Sequence, residues 1–253
     1  MNDFSSFNQG SIQLHQISAH AAAGIARLGI EPGSLAAGSC HVWILSLTVG
    51  DDLLAALWPL LTEDERTRAD AFRVPWARNQ FVQVRGVLRL LLGEYLGRPA
   101  TDIGFDYGEF GKPALVHEAG WHFNVAHSGD YALLAVANGY EVGVDIEKFR
   151  ASAELASLAR MVLSRSEAAL WQTLPDVDRA SAFFAAWTGK EAVAKAVGQG
   201  LRLEFPRLDI GLMHQGRHVD ARAVTMDRFG TCRLVTLPAP PGYAAALAVR
   251  ETA

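Results

Sequence analysis

Apolar and polar positions along this chain fall into two kinds of run. Val42 to Val49 is short and mostly apolar, which predicts a buried strand. Tyr131 to Ala137 and Val142 to Glu147 predict two more strands, and the Asn138-Gly139 dipeptide between them predicts a tight hairpin turn. Residues two apart on a strand share a face, so Asp145 and Glu147 point the same way. Elsewhere the period is helical. Phe81, Val84, Leu88, Leu91, Leu92 and Tyr95 form one apolar stripe that stops before Gly97. Ser181 to Val197, dense in Ala, Phe, Trp and Val and free of Pro, predicts a helix ending at Gly198, on which Trp187, Glu191 and Lys195 stack four apart.

These elements repeat at a separation of about one hundred residues. The Val42 strand is echoed by the Val142 strand. Thr62-Glu63-Asp64-Glu65 and Ser164-Arg165-Ser166-Glu167 both carry the capping box that opens a helix. Asp102-Ile103-Gly104-Phe105 is matched by Asp209-Ile210-Gly211-Leu212, and Gly129 to Val136 resembles Gly242 to Val249. Several echoes in one order predict an α/β (α+β) fold of two similar halves, residues 39–138 and 139–253, related by a pseudo-twofold axis. The expected active site is the cleft between the halves. Residues 1–38 show no clear period. They read as an N-terminal extension in which Ser18 to Ala23 can start a weak helix.

Composition narrows the class. At 253 residues, 50% hydrophobic and 20% charged, the chain can bury one sizeable core or two small ones. A net charge of −4 argues against a general nucleic-acid binder. Two cysteines, Cys40 and Cys232, lack metal-ligand spacing. No stretch approaches a membrane span, and the first residues lack a signal pattern, so the cytoplasm is the expected location; a monomer is the expected state.

The chemistry concentrates in the second half. Asp145 and Glu147 from a strand and Glu191 from a helix are hard oxygen donors suited to Mg²⁺, and Lys195, one turn beyond Glu191, suits a phosphate. Taken singly, each motif fits a solvated face or a surface ion pair at least as well. Their combination and order decide. Gly111-Lys112-Pro113, Phe123-Asn124-Val125-Ala126-His127-Ser128-Gly129, Gly143-Val144-Asp145-Ile146-Glu147-Lys148 and Trp187-Thr188-Gly189-Lys190-Glu191-Ala192-Val193-Ala194-Lys195 resemble the signature of the 4′-phosphopantetheinyl transferases. The larger type, which activates peptide and polyketide synthases, fits best, from about His41 to about Val249.

The resemblance implies transfer of the 4′-phosphopantetheine arm of coenzyme A to a serine of an apo acyl or peptidyl carrier protein, with release of 3′,5′-ADP. It implies Mg²⁺ on Asp145, Glu147 and Glu191, with Glu191 and Lys195 as the catalytic pair. Coenzyme A contacts are expected from Arg66, Lys112, His127, Arg78, Lys190 and Lys195, with Lys190 alternatively orienting the proton acceptor. His127 would meet the 3′-phosphate. The chain departs from the family at Ala126, where serine is usual, and at Gln80, where arginine is usual. Because of these departures, a non-catalytic module that binds coenzyme A or a carrier protein is the competing reading. Arg150, Arg160 and Arg165 are plausible docking charges for an acidic carrier.

Overall fold

The computed structural model describes residues 8–9, 12–17, 34–47, 50–108, 111–150, 154–198, 203–212 and 221–251. The extension carries β1 (Asn8–Gln9) and β2 (Ile12–Ile17), and the first half opens on β3 (Ser39–Ser46). Three helices follow: α1 (Asp51–Leu57), α2 (Glu63–Asp70) and α3 (Pro75–Leu96). A small two-stranded ribbon, β4 (Phe105–Tyr107) with β5 (Pro113–Leu115), leads to the hairpin of β6 (Trp121–Ser128) and β7 (Tyr131–Asn138). The second half runs through β8 (Tyr140–Lys148), α4 (Leu155–Val162), α5 (Arg165–Thr173), α6 (Asp176–Val197), β9 (Ala221–Met226), β10 (Gly230–Leu237) and β11 (Tyr243–Glu251).

The duplication shows in the strand order. The first sheet is β1-β2-β3-β7-β6 and the second is β8-β11-β10-β9. In each half the first strand, β3 or β8, pairs with the last, β7 or β11, which pairs in turn with the one before it. The helices of the first half cover one face of its sheet, with Trp43, Leu45, Val87, Leu91 and Leu134 in the shared core. The other face meets the second sheet, so that Val42, Ile44, Leu133 and Ala135 pack with Val142, Val144, Ile146 and Leu247. Helix α6 covers the far side of the second sheet.

One prediction from the sequence is corrected. The chain does turn at Asn138-Gly139, where Gly139 takes φ 87°, but β7 and β8 do not form a hairpin. Both edges of β7 are already occupied, by β3 on one side and β6 on the other, and the Gly139 amide donates to Gly120. The chain therefore crosses to the second sheet. A second correction concerns the extension. Ile12–Ile17 is a strand, parallel to β3, with Ile12 and Leu14 buried on its inner face. The helix expected from Ser18 to Ala23 lies outside the described residues.

Both capping boxes form as their sequences require. The Thr62 hydroxyl accepts from the Glu65 amide while the Glu65 carboxylate accepts from Thr62, and Ser164 with Glu167 repeats the exchange. Each glutamate then turns its carboxylate inward onto a cation of the following long helix. Glu65 meets Arg89 at 2.7 Å and Glu167 meets Lys190 at 2.6 Å. Arg89 also donates to the carbonyls of Ala100 and Ile103, and Lys190 to those of Val162 and Phe205. These bonds fix where α3 and α6 lie. Each long helix ends on a left-handed glycine, Gly97 or Gly198.

Removing one partner of either pair would leave a buried charge alone, at a cost of about 3–5 kcal/mol. Glu65→Gln and Glu167→Gln are each expected to lower the denaturant midpoint accordingly. Combining Glu167→Gln with Lys190→Met should recover much of the loss. Unchanged midpoints in the single variants would show that these pairs do not hold the helices.

Candidate active site

The site is assembled where α6 lies on β8. Alternation along β8 turns Val142, Val144 and Ile146 into the cluster between the sheets and leaves Gly143, Asp145 and Glu147 on the opposite side. Gly143 permits the approach. A Cβ there would sit 2.1 Å from the Ala192 carbonyl oxygen and 2.3 Å from the Ala196 nitrogen, so only glycine lets the helix backbone rest on the strand. That contact brings Asp145 within reach of the last turns of α6.

Lys195 Nζ donates to Asp145 Oδ1 at 2.7 Å. Asp145 is 5% exposed, and its Oδ2 has no hydrogen-bond partner among the described residues. Burial pushes its carboxyl up to about 7; Lys195 opposes the rise, while Glu147 and Glu191 add to it. Glu191, half-buried, is raised by desolvation and by Glu147, again against Lys195. Three carboxylates thus repel one another around one ammonium. Among the described residues no three acidic, histidine or cysteine side chains form a ready-made metal cage. The donor chemistry still fits Mg²⁺, which takes one or two carboxylates and keeps several waters, and Oδ2 of Asp145, unpartnered among the described residues, is a candidate ligand atom.

The first half contributes β6. Asn124, Ala126 and Ser128 share its face toward β8. Asn124 Oδ1 accepts from the Val144 amide at 2.9 Å, and Ser128 Oγ donates to Glu147 Oε2 at 2.7 Å while accepting from the Lys148 amide. Neither role was read from the sequence, although the two-residue spacing of 124, 126 and 128 carries the signal. His127 lies on the other face, exposed. Partial desolvation and Lys195 hold its imidazole below the usual value, with Glu147 opposing, so it stands at the edge of the carboxylate cluster. Gln80 donates to the Gly129 carbonyl at 2.9 Å, which places the start of α3 beside the same turn.

Ala126 has a structural meaning that differs from the one expected. It is 6% exposed within the apolar inter-sheet cluster and faces away from His127, so a hydroxyl there would be buried against the second sheet rather than added to a phosphate contact.

The expected coenzyme contacts divide. Arg66 donates to the carbonyls of Trp58 and Pro59, and Arg78 is paired with Asp70; both guanidinium groups lie over the Trp58 ring, forming a basic group at the start of α2 and α3. Two lysines must be reassigned. Lys190 is fully buried, and its ammonium is shared among Glu167, Val162 and Phe205, so it anchors α6 and does not reach a ligand. Lys112 donates to the carbonyls of Val142, Lys195 and Ala196, which occupies its three N–H groups. Trp187 packs on Phe183 and Phe205.

Known proteins are similar to this chain in sequence. Residues 141–236 match the model of the 4′-phosphopantetheinyl transferase superfamily, and residues 50–139 match that of the 4′-phosphopantetheinyl transferase N-terminal region. The 4′-phosphopantetheinyl transferase HetI of Nostoc sp. is 38% identical over 171 residues, 66% of this chain and 72% of the relative. The 4′-phosphopantetheinyl transferase Sfp of Bacillus subtilis is 28% identical over 195 residues, covering 72% and 84%. The human L-aminoadipate-semialdehyde dehydrogenase-phosphopantetheinyl transferase is 29% identical over 187 residues, covering 69% and 59%. Duplicated fold, carboxylate cluster and matches agree, and the chain belongs to the 4′-phosphopantetheinyl transferase family.

Proposed function

We propose that this protein transfers the 4′-phosphopantetheine arm of coenzyme A to a serine hydroxyl of an apo acyl or peptidyl carrier protein, releasing 3′,5′-ADP. The observation that carries the reading is the Asp145, Glu147, Glu191 and Lys195 cluster, in which one buried carboxylate oxygen lacks a partner among the described residues. A binding module has no chemical need for such a cluster, and the named relatives are transferases.

Asp145, Glu147 and Glu191 are the residues that would hold Mg²⁺, which when bound neutralises charge on the pyrophosphate and on the leaving group. Ser128 keeps the Glu147 carboxylate oriented. Lys195, now on Asp145, is the cation available to a pyrophosphate oxygen. As the serine oxygen bonds to phosphorus and the bond to 3′,5′-ADP breaks, a carboxylate oxygen of Glu191 accepts the serine proton, a role its raised pKa favours. His127 reads the 3′-phosphate, with Arg66 and Arg78 adding positive charge beyond it. Exposed Arg150, Arg160 and Arg165 suit an acidic carrier, and Met161, 67% exposed between two of them, adds an apolar contact. No described helix is long and apolar enough to cross a membrane. A cytoplasmic monomer is the working state of this proposal.

Incubation with coenzyme A, Mg²⁺ and an apo carrier should add one phosphopantetheine arm to the carrier, read by intact mass. Asp145→Ala should abolish most of that gain without lowering the melting temperature, because the buried carboxylate owes its presence to the cation rather than to packing. Near-parental turnover by Asp145→Ala at low Mg²⁺ would remove Asp145 from the site.

His127→Ala should weaken coenzyme A by about 1.5–3 kcal/mol, the worth of a hydrogen bond to a charged group. Dephospho-coenzyme A should bind the parent and the variant alike. Calorimetric titration with both ligands distinguishes the outcomes, and an equal loss for the two ligands would show that His127 does not read the 3′-phosphate.

A further inference from the structure

The ribbon of β4 and β5 belongs to the first half, yet the side chain at its turn ends inside the second. The turn is closed by bonds from the Gly108 amide to the Lys112 carbonyl and from the Gly111 amide to the Gly108 carbonyl, with Gly111 at φ 75°. From there Lys112 runs past Gly198, whose added Cβ would lie 3.8 Å from Lys112 Cδ. Its ammonium reaches the Lys195 carbonyl at 2.7 Å and the carbonyls of Ala196 and Val142 at 3.2 Å.

The three acceptors explain the choice of residue. Lys195 and Ala196 lie in the last turn of α6, where carbonyls lack intrahelical donors and the helix dipole favours a cation. Val142 lies on β8, three residues before Asp145. One ammonium therefore joins the end of the helix that carries Glu191 and Lys195 to the strand that carries Asp145 and Glu147. It does so beside Gly143, where helix and strand backbones already touch. Burying a lysine here is costly. Desolvation pushes its pKa down to about 8, with Glu141 opposing and Arg250 adding to the fall.

We infer that Lys112 is a positioning residue for the transfer reaction: from the opposite half, it sets the spacing between the Asp145–Glu147 strand and the Glu191–Lys195 helix, and it does not touch coenzyme A. This rests on the transferase reading given above. A shift of about 1 Å between those elements would cost about 10²-fold in rate while leaving the nucleotide contacts of the first half in place.

The test uses the full chain and the variants Lys112→Met, which keeps the apolar stem, and Lys112→Arg, which restores donors. Each is assayed well below its melting temperature for kcat, for the KM of coenzyme A and dephospho-coenzyme A, and for Mn²⁺ affinity by titration. Lys112→Met should lower kcat by about 10²-fold and weaken Mn²⁺ several-fold, with both nucleotide constants within about twofold of the parent. Lys112→Arg should recover part of kcat. A loss confined to coenzyme A and spared with dephospho-coenzyme A would make Lys112 a phosphate contact and overturn the inference. Parental kcat and Mn²⁺ affinity with only a lower melting temperature would overturn it too. If Lys112→Met fails to fold, the same comparison is made with Lys112→Gln. A parent that binds Mn²⁺ but modifies no carrier would fail the transferase reading instead, and the Mn²⁺ titration would still decide whether Lys112 sets the spacing of the carboxylates.

Discussion

A glutamate that caps one helix and neutralises a cation buried in the next is the interaction on which both halves turn. Glu65 and Glu167 each spend part of the carboxylate on their own helix N-terminus and part on Arg89 or Lys190. Because the cation also bonds to nearby main-chain carbonyls, the long helix is held at a fixed rotation about its axis. In the second half that rotation has a chemical result. With Lys190 turned into the core, the neighbouring Glu191 is only half-buried, and it joins the cluster around Asp145.

The cluster draws on both halves in different ways. The second half supplies the carboxylates and Lys195, whereas the first supplies the groups that hold them: Asn124 on the Val144 amide, Ser128 on Glu147 and Lys112 on the ends of α6 and β8. Electrostatics tie them further, because Lys195 is felt by Asp145, Glu191 and His127 together. Moving that one ammonium onto a ligand changes the balance of all three.

What the sequence made legible was local. Both capping boxes, the glycine ends of the long helices and the shared face of Asp145 and Glu147 depend on spacing along one element, and backbone geometry enforces them. What it hid was tertiary. Nothing in the residues around Lys190 or Lys112 tells whether an ammonium meets solvent, a ligand or main-chain carbonyls from another element. Asn138-Gly139 has sound turn chemistry, yet the partner of β7 was decided by strands far away in sequence. In Ile12–Ile17 only two positions, Ile12 and Leu14, alternate clearly, too few to mark a strand against the small residues around it.

The apolar cluster between the sheets takes side chains from both halves, and the chain passes between them through Gly139 alone. Separated, each half would leave the inner face of its sheet to water, with Val42, Ile44 and Leu133 on one and Val142, Ile146 and Leu247 on the other. Contiguous apolar surface of that kind drives association. Neither half is therefore a free-standing module that could be exchanged or expressed alone. The repeat visible in the sequence behaves as an internal dimer, whose subunits a one-residue link keeps at high effective concentration and denies any other partner.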